Sequence, residues 1–219
     1  MTGKTVGVLA VQGAFIEHCR RLEELGLRAV ELRHTAHVRC SLDGLVLPGG
    51  ESTVQSKLLH ELDMFDPLAE ALGGGMPVFG TCAGLILLAQ HVMNGPVSGI
   101  DGAHAAMPTN SAVEINGFAT MPVTVVRNAY GRQLGSFYID DGLYMSNDHG
   151  EATRNDPVTI PMTFIRAPHI AQWGEGVDVI AQLPNGTPVA VRYENQIGAT
   201  FQPELDSDLH IYEAFARML

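Results

Sequence analysis

The hexapeptide FGTCAG, Phe79 to Gly84, holds the residue with the clearest capacity for chemistry. It follows an apolar strand, opens an apolar helix and spells Gly-x-nucleophile-x-Gly with Cys82 as the nucleophile. Glycines two residues to either side permit the sharp strand-to-helix turn that lifts a nucleophile out of a sheet. The start of a helix carries partial positive charge, which favours the thiolate, the reactive form of cysteine. The amide N–H of Ala83 is then placed to hold an oxyanion. A structural cysteine in a glycine-bounded turn is the plainer alternative; the strand–turn–helix setting favours catalysis.

Two other stretches belong with it. LVLPGGEST, Leu45 to Thr53, is a second strand running into a glycine-rich turn and a helix start, where Ser52 or Thr53 is a candidate cap. The Gly49-Gly50 backbone can approach a ligand closely, and the Gly50 N–H is a candidate second oxyanion donor opposite Ala83. Both turns fall at carboxyl ends of strands, where open α/β sheets build their sites. The third stretch, ATFQPEL, closes an apolar run with Gln202, Pro203 and Glu204. A histidine at 202 would complete a base-and-carboxylate pair with Glu204. A primary carboxamide hydrogen-bonds but does not titrate near neutral pH.

Elements that would position these residues follow from hydrophobic patterning. Strands are expected at Thr5–Val11, Ala29–Leu32, Gly44–Leu47 and Pro77–Gly80, and helices at Phe15–Leu25, Thr53–Leu62, Pro67–Leu72 and Gly84–His91. This alternation implies a parallel sheet covered on both faces. Gly95–Thr120 reads as an extended loop with room for one short strand. Strands resume at Met121–Val126, Ser136–Ile139, Val158–Ile165, Val177–Leu183, Pro188–Tyr193 and Ile197–Phe201, before a closing helix over Leu209–Leu219. The expected fold is α/β, a three-layer open mixed sheet, largely parallel, with helices on both faces and an antiparallel-leaning second half. With no repeat or linker evident, residues 1–219 are expected to form a single domain.

Composition narrows the class. A formal net charge of −11, with no basic run, argues against nucleic acid or an anionic membrane as partner. No apolar run approaches the roughly 18 residues of a membrane helix, and the amino terminus lacks a signal-peptide pattern. Three cysteines, Cys19, Cys40 and Cys82, make no disulfide framework. These features place the chain in the cytoplasm, where a reduced thiol is available. No cluster with metal-ligand spacing is evident.

GVLAVQGAFIEH, LVLPGGEST, FGTCAGLILL, RNAYGRQ (Arg127 to Gln133), FIRAP (Phe164 to Pro168) and FQPEL run in order through nearly the whole chain. Together they resemble the PdxT/SNO family, glutaminase subunits of pyridoxal 5'-phosphate synthase within the class I triad glutamine amidotransferases. The resemblance implies that Cys82 attacks the carboxamide carbon of glutamine. The N–H groups of Gly50 and Ala83 would stabilise the tetrahedral intermediate, ammonia would leave, and water would hydrolyse the thioester. It further implies that Gly50, Glu51, Ser52, Arg127, Ile165 and Arg166 hold the substrate. Such a subunit carries no metal or cofactor, and its ammonia passes to a (β/α)₈-barrel synthase partner.

The chain departs from that pattern at position 202, where the family keeps the triad histidine and this sequence has glutamine. Loss of general acid–base catalysis costs about 10²–10⁴ in rate. His18, His149, His169 and His210 are read as surface or packed residues rather than substitutes. The Gly95–Thr120 stretch is also longer than the family pattern leads one to expect. Three further readings stay open: a glutamine-binding pseudo-glutaminase that docks the synthase, an engineered substitution that traps glutamine, and a cysteine hydrolase acting on another γ-glutamyl or peptide substrate.

Overall fold

Strand β1 (Thr5–Leu9) is buried on both sides from Val6 to Leu9, as a central strand between two helical layers must be. The computed structural model describes residues 3–95, 115–129, 136–145 and 157–219. Along the first part of the chain, β1 is followed by α1 (Phe15–Glu24), β2 (Arg28–Leu32), a single helical turn α2 (Thr35–Val38) and β3 (Gly44–Leu47). Helices α3 (Ser52–Glu61) and α4 (Phe65–Gly73) come next, then β4 (Val78–Thr81) and the short α5 (Ala83–Leu88). The rest is mainly strand: β5 (Ala89–Asn94), β6 (Met121–Arg127), β7 (Ser136–Tyr144), β8 (Val158–Ile165), β9 (His169–Trp173), β10 (Val177–Gln182), β11 (Pro188–Tyr193) and β12 (Gln196–Ala199). A 3-10 turn (Pro203–Leu205) and α6 (His210–Ala216) close the chain.

Among the described residues the main sheet runs β2-β1-β3-β4-β12-β11-β10-β7-β8. Its half from β2 to β12 is parallel and the remainder antiparallel, so the mixed α/β sheet expected from patterning is present. Alternate side chains feed two cores. Val6, Val8, Val46 and Phe79 pack under α1 and α6, whereas Leu9, Leu45, Leu47 and Val78 pack under α3, α4 and α5. The second core also receives the small sheet β5-β6-β9.

Several boundaries differ from expectation. The apolar run GLILLAQH is not one helix: α5 stops at Leu88 because Ala89 turns to φ −64°, ψ 135°, and the chain continues as β5 beside β6. A continuous apolar run lacks the periodicity that separates helix from strand. Strand β9, unassigned from sequence, adds antiparallel to β6, and β7 runs on to Tyr144. On α1 the buried face carries His18 and Leu22, whereas Ile16 is 46% exposed. Of Gly95–Thr120, residues 96–114 lie outside the described residues, as do His149 and residues 130–133 of the RNAYGRQ stretch; 115–120 have no regular structure.

Candidate active site

Parallel neighbours β4 and β12 bring the nucleophile and the Gln-Pro-Glu tail together. Thr81 pairs with Ala199, and the Cys82 N–H donates to the Ala199 carbonyl at 2.8 Å. Cys82 leaves its strand one residue past that pair and Gln202 three residues past it. The chain departs from the sheet at Thr200, whose N–H bonds Val189 O, and the Gln202 N–H then donates to Thr163 O of β8 at 2.8 Å. Asp206 holds the same β8 residue, accepting from the Thr163 N–H and hydroxyl, both at 3.1 Å. The tail is therefore anchored on both sides of Glu204.

Cys82 itself carries the strain of the elbow, with φ 47° and ψ −98°. A non-glycine residue there costs about 1–3 kcal/mol and persists only where its surroundings enforce it. The flanking glycines answer a different need. A Cβ on Gly84 would run into the Leu47 carbonyl of β3, and one on Gly80 into the Gly84 backbone. They allow α5 to press against the sheet rather than adopting the unusual dihedrals themselves.

Burial pushes the Cys82 thiol up to about 12, and the nearby Glu204 charge adds to this. The backbone N–H groups of Ala83 and Gly50 and the Arg166 guanidinium pull the other way. The expectation that the elbow favours thiolate is thus corrected: a six-residue helix start does not offset burial, and the resting sulfur is a thiol. The same two N–H groups are the pair suggested from sequence as oxyanion donors, and they do converge on the sulfur's surroundings.

The Gly50 turn is braced from below. Gln12 Oε1 accepts the Glu51 N–H at 2.8 Å, while Gln55 Nε2 donates to Gln12 O at 2.9 Å and Pro48 O at 3.1 Å. Glu51, not Ser52 or Thr53, caps α3, accepting from the Thr53 and Val54 N–H groups at 3.2 and 2.9 Å. Partial burial raises the Glu51 carboxyl, but the Thr53 and Val54 amides, the Thr53 hydroxyl and Arg127 outweigh it and hold the group below its usual range. Arg127 reaches Glu51 Oε1 at 3.1 Å with one arm and Thr53 Oγ1 at 3.2 Å with the other.

These groups line a cleft of about 360 Å³ that takes in Gly50, Glu51, Ser52, Cys82, Arg127, Ile165, Arg166 and Gln202. Ala83 and Glu204 are not part of its lining, though both lie against residues that are. Ser52 Oγ is buried without a hydrogen-bond partner among the described residues, the Ile165 carbonyl is 4.0 Å from Cys82 Sγ, and Arg166 takes a positive φ of 46°. Gln12 and Asn128 also line the cleft and were not singled out from sequence. Gln12 lies in the loop after β1 as part of a Gln-Gly pair, a turn signal that names no chemistry.

The titratable neighbours are few. Glu204 is 2% exposed, and burial pushes its carboxyl up to about 8. Among the described residues its two oxygens accept no close side-chain hydrogen bond; its own backbone N–H favours the carboxylate, and His18 Nε2 stands 3.4 Å from Oε2. His169 is buried and held below its usual value by that burial, and His210 pairs with Asp208 at 2.8 Å. His18 is fully buried beside Glu204 rather than beside the cleft. Among the described residues no group of three or more His, Cys, Asp or Glu could hold a metal ion, and no helix is long and apolar enough to cross a membrane.

A cysteine elbow over a half-parallel α/β sheet, with a second glycine turn beside it, defines the class of glutamine-amidotransferase-like folds. Residues 8–219 match the model of the SNO glutamine amidotransferase family, and the chain belongs to that family. It is 50% identical over 210 residues to a pyridoxal 5'-phosphate synthase subunit PdxT from Desulfitobacterium hafniense (strain Y51), covering 96% of this chain and 90% of the relative. A PdxT subunit from Methanocorpusculum labreanum is 44% identical, with 98% and 97% covered. A crystal structure described as a glutamine amidotransferase superposes with a TM-score of 0.77 at 34% identity, covering 97% of both chains. The PurLQS structure from Thermotoga maritima, at 14% identity and a TM-score of 0.59, shares the fold.

Proposed function

We propose that this chain is a glutaminase subunit, one domain over residues 1–219, that hydrolyses glutamine to glutamate and ammonia for a pyridoxal 5'-phosphate synthase barrel partner. The observation carrying this reading is the cleft itself. It sets Cys82, two backbone N–H donors and a carboxylate–guanidinium pair around a volume of about 360 Å³, suited to a small zwitterion. The names borne by relatives that match nearly the whole chain support the substrate and the partner. The cytoplasm is the compartment that suits such a reaction.

The sulfur of Cys82 adds to the glutamine carboxamide carbon, and the oxygen becomes an oxyanion between the Gly50 and Ala83 N–H groups. Arg127 offers its guanidinium to the substrate carboxylate, while Glu51 and the Ile165 carbonyl offer acceptors to its ammonium. Ser52, whose hydroxyl has no partner among the described residues, and Arg166 complete the holding set. Breaking the C–N bond releases ammonia once the thiol proton reaches the leaving nitrogen. Water then attacks the thioester, giving glutamate and restoring the thiol. Gln202 can hydrogen-bond these species but cannot relay the proton, so turnover is slow as the sequence stands. Glutamate release with the synthase present, compared across the parent chain, Gln202→His and Cys82→Ala, tests this reading.

A second reading, a glutamine-binding subunit that docks the synthase without efficient catalysis, is favoured by one observation. Position 202 and the high thiol pKa act in the same direction, leaving both the base and the thiolate wanting. The substrate-holding half of the cleft is the same in either case.

A further inference from the structure

His18 is a polar side chain fully buried in a hydrophobic core, with 0% exposure. Such a group needs its hydrogen-bonding capacity answered. Tyr212 Oη lies 2.7 Å from Nδ1. Thr81 Oγ1 lies 3.1 Å from Nε2, and Glu204 Oε2 lies 3.4 Å from that same nitrogen. The ring also meets Phe79 edge-on at 6.0 Å and Tyr212 at a tilt at 5.8 Å. It therefore bridges three elements that meet at the site: Thr81, which precedes Cys82, the Glu204 turn and α6.

We propose that His18 is a positioning residue for Glu204: its Nε2, held by Thr81 Oγ1 at 3.1 Å, stands 3.4 Å from Oε2 and fixes that oxygen so that Oε1 stays directed over Gly49 toward position 202. The proposal requires one tautomer: the Tyr212 hydroxyl donates to Nδ1, 2.7 Å away, and the ring proton sits on Nε2. Burial pushes His18 down to about 3, so the ring is neutral and has a single N–H to give. Oε1 is the oxygen nearest Gly49, at 3.4 Å from where a Cβ would stand, so the two carboxyl oxygens face different residues.

Other charged and titratable groups around Glu204 do not do this job. Arg21 of α1 reaches only its backbone carbonyl, at 3.4 Å. Glu17 of α1 and Asp206 beyond the turn oppose its ionisation, Cys82 lies across Gly49, and Tyr212 faces it through His18. Glu204's own backbone N–H favours its carboxylate; of the side chains around it, His18 is the one with a donor nitrogen near Oε2.

The inference rests on the glutaminase reading for its catalytic consequence, but its structural core is tested independently. In ¹³Cδ-glutamate-labelled protein, His18→Phe is expected to move the Glu204 titration upward by about one pH unit or more. His18→Gln, which restores an N–H donor, should move it most of the way back. In the Gln202→His chain with the synthase, adding His18→Phe should lower kcat about tenfold and leave KM for glutamine nearly unchanged. An unmoved Glu204 titration, or an effect on KM alone, overturns the proposal. If His18→Phe fails to fold, ¹⁵N-histidine shifts of the parent chain decide: Nε2–H between about pH 6 and 8 supports it, and Nδ1–H overturns it. Absence of glutamine hydrolysis in Gln202→His with His18 intact would instead count against the glutaminase reading.

Discussion

Gln202 and Cys82 converge on Gly49: a Cβ there would stand 3.5 Å from the Gln202 carboxamide carbon and 3.5 Å from the Cys82 Cβ. Glycine leaves a gap of about one methyl group between the nucleophile and the residue in the base position. Those distances are ordinary van der Waals contact, so Gly49→Ala should fold with a stability change within about 1 kcal/mol. Gly84→Ala, by contrast, drives a methyl into the Leu47 carbonyl and should cost about 1–3 kcal/mol or more. Urea unfolding of the two variants separates them; equal losses would contradict the close approach of α5 to β3.

The thiol raised from 9.0 to about 12 sets the chemistry of Cys82 before substrate arrives. At neutral pH its thiolate fraction is about 10³-fold below that of an unperturbed cysteine. Iodoacetamide labelling, read by mass spectrometry at Cys82, should therefore be slow and rise steadily with pH. Gln202→His places a group that can become an imidazolium beside the sulfur and should accelerate labelling. Equal rates in both proteins would show that position 202 does not face the thiol.

Arg127 and Glu51 act as one unit at the head of α3. Glu51→Ala removes the acceptor for two amide N–H groups, and the lost cap should cost about 1 kcal/mol in unfolding experiments. Arg127→Lys keeps the charge but loses the fork that spans Glu51 and Thr53. Isothermal titration in a Cys82→Ala background should show glutamine affinity falling about tenfold or more for Arg127→Lys. Unchanged affinity would remove Arg127 from the substrate site.

Stability should fall on both sides of a middle pH range. Glu204 is raised from 4.5 to about 8, so the folded chain holds its proton more tightly than the unfolded one. Its contribution is complete below the unfolded value and is lost as pH rises toward 8. His18 is lowered from 6.5 to about 3, so its contribution is complete above 6.5 and is lost as pH falls toward 3. Above pH 6.5 only the Glu204 slope remains of the two. Urea midpoints should decline from there to about pH 8, and Glu204→Gln should flatten that decline. An unaltered slope would place the titration elsewhere.

Much of this molecule is legible in its sequence because local rules and tertiary demands agree. The parallel strands are continuous apolar runs, and the glycine pairs around Cys82 and Gly50 mark turns that the structure places side by side. What stayed hidden depends on partners distant in the chain. Ala89–Asn94 is a strand because β6 lies beside it, and β9 exists because β6 offers its other edge. Glu51 outcompetes Ser52 and Thr53 as cap because its longer side chain also meets Arg127, far along the chain. His18 shows the limit of patterning most clearly. Packed was the right description, but its neighbours Thr81, Glu204 and Tyr212 come from three separate stretches that no local window joins.

The most direct test of the role of position 202 is glutamate release from glutamine by the chain in complex with its synthase partner. The expected result is weak activity for the parent, a gain of at least about 10²-fold for Gln202→His, and none for Cys82→Ala in either background. Full activity of the parent, unimproved by the imidazole, would contradict it and show that another group supplies the base.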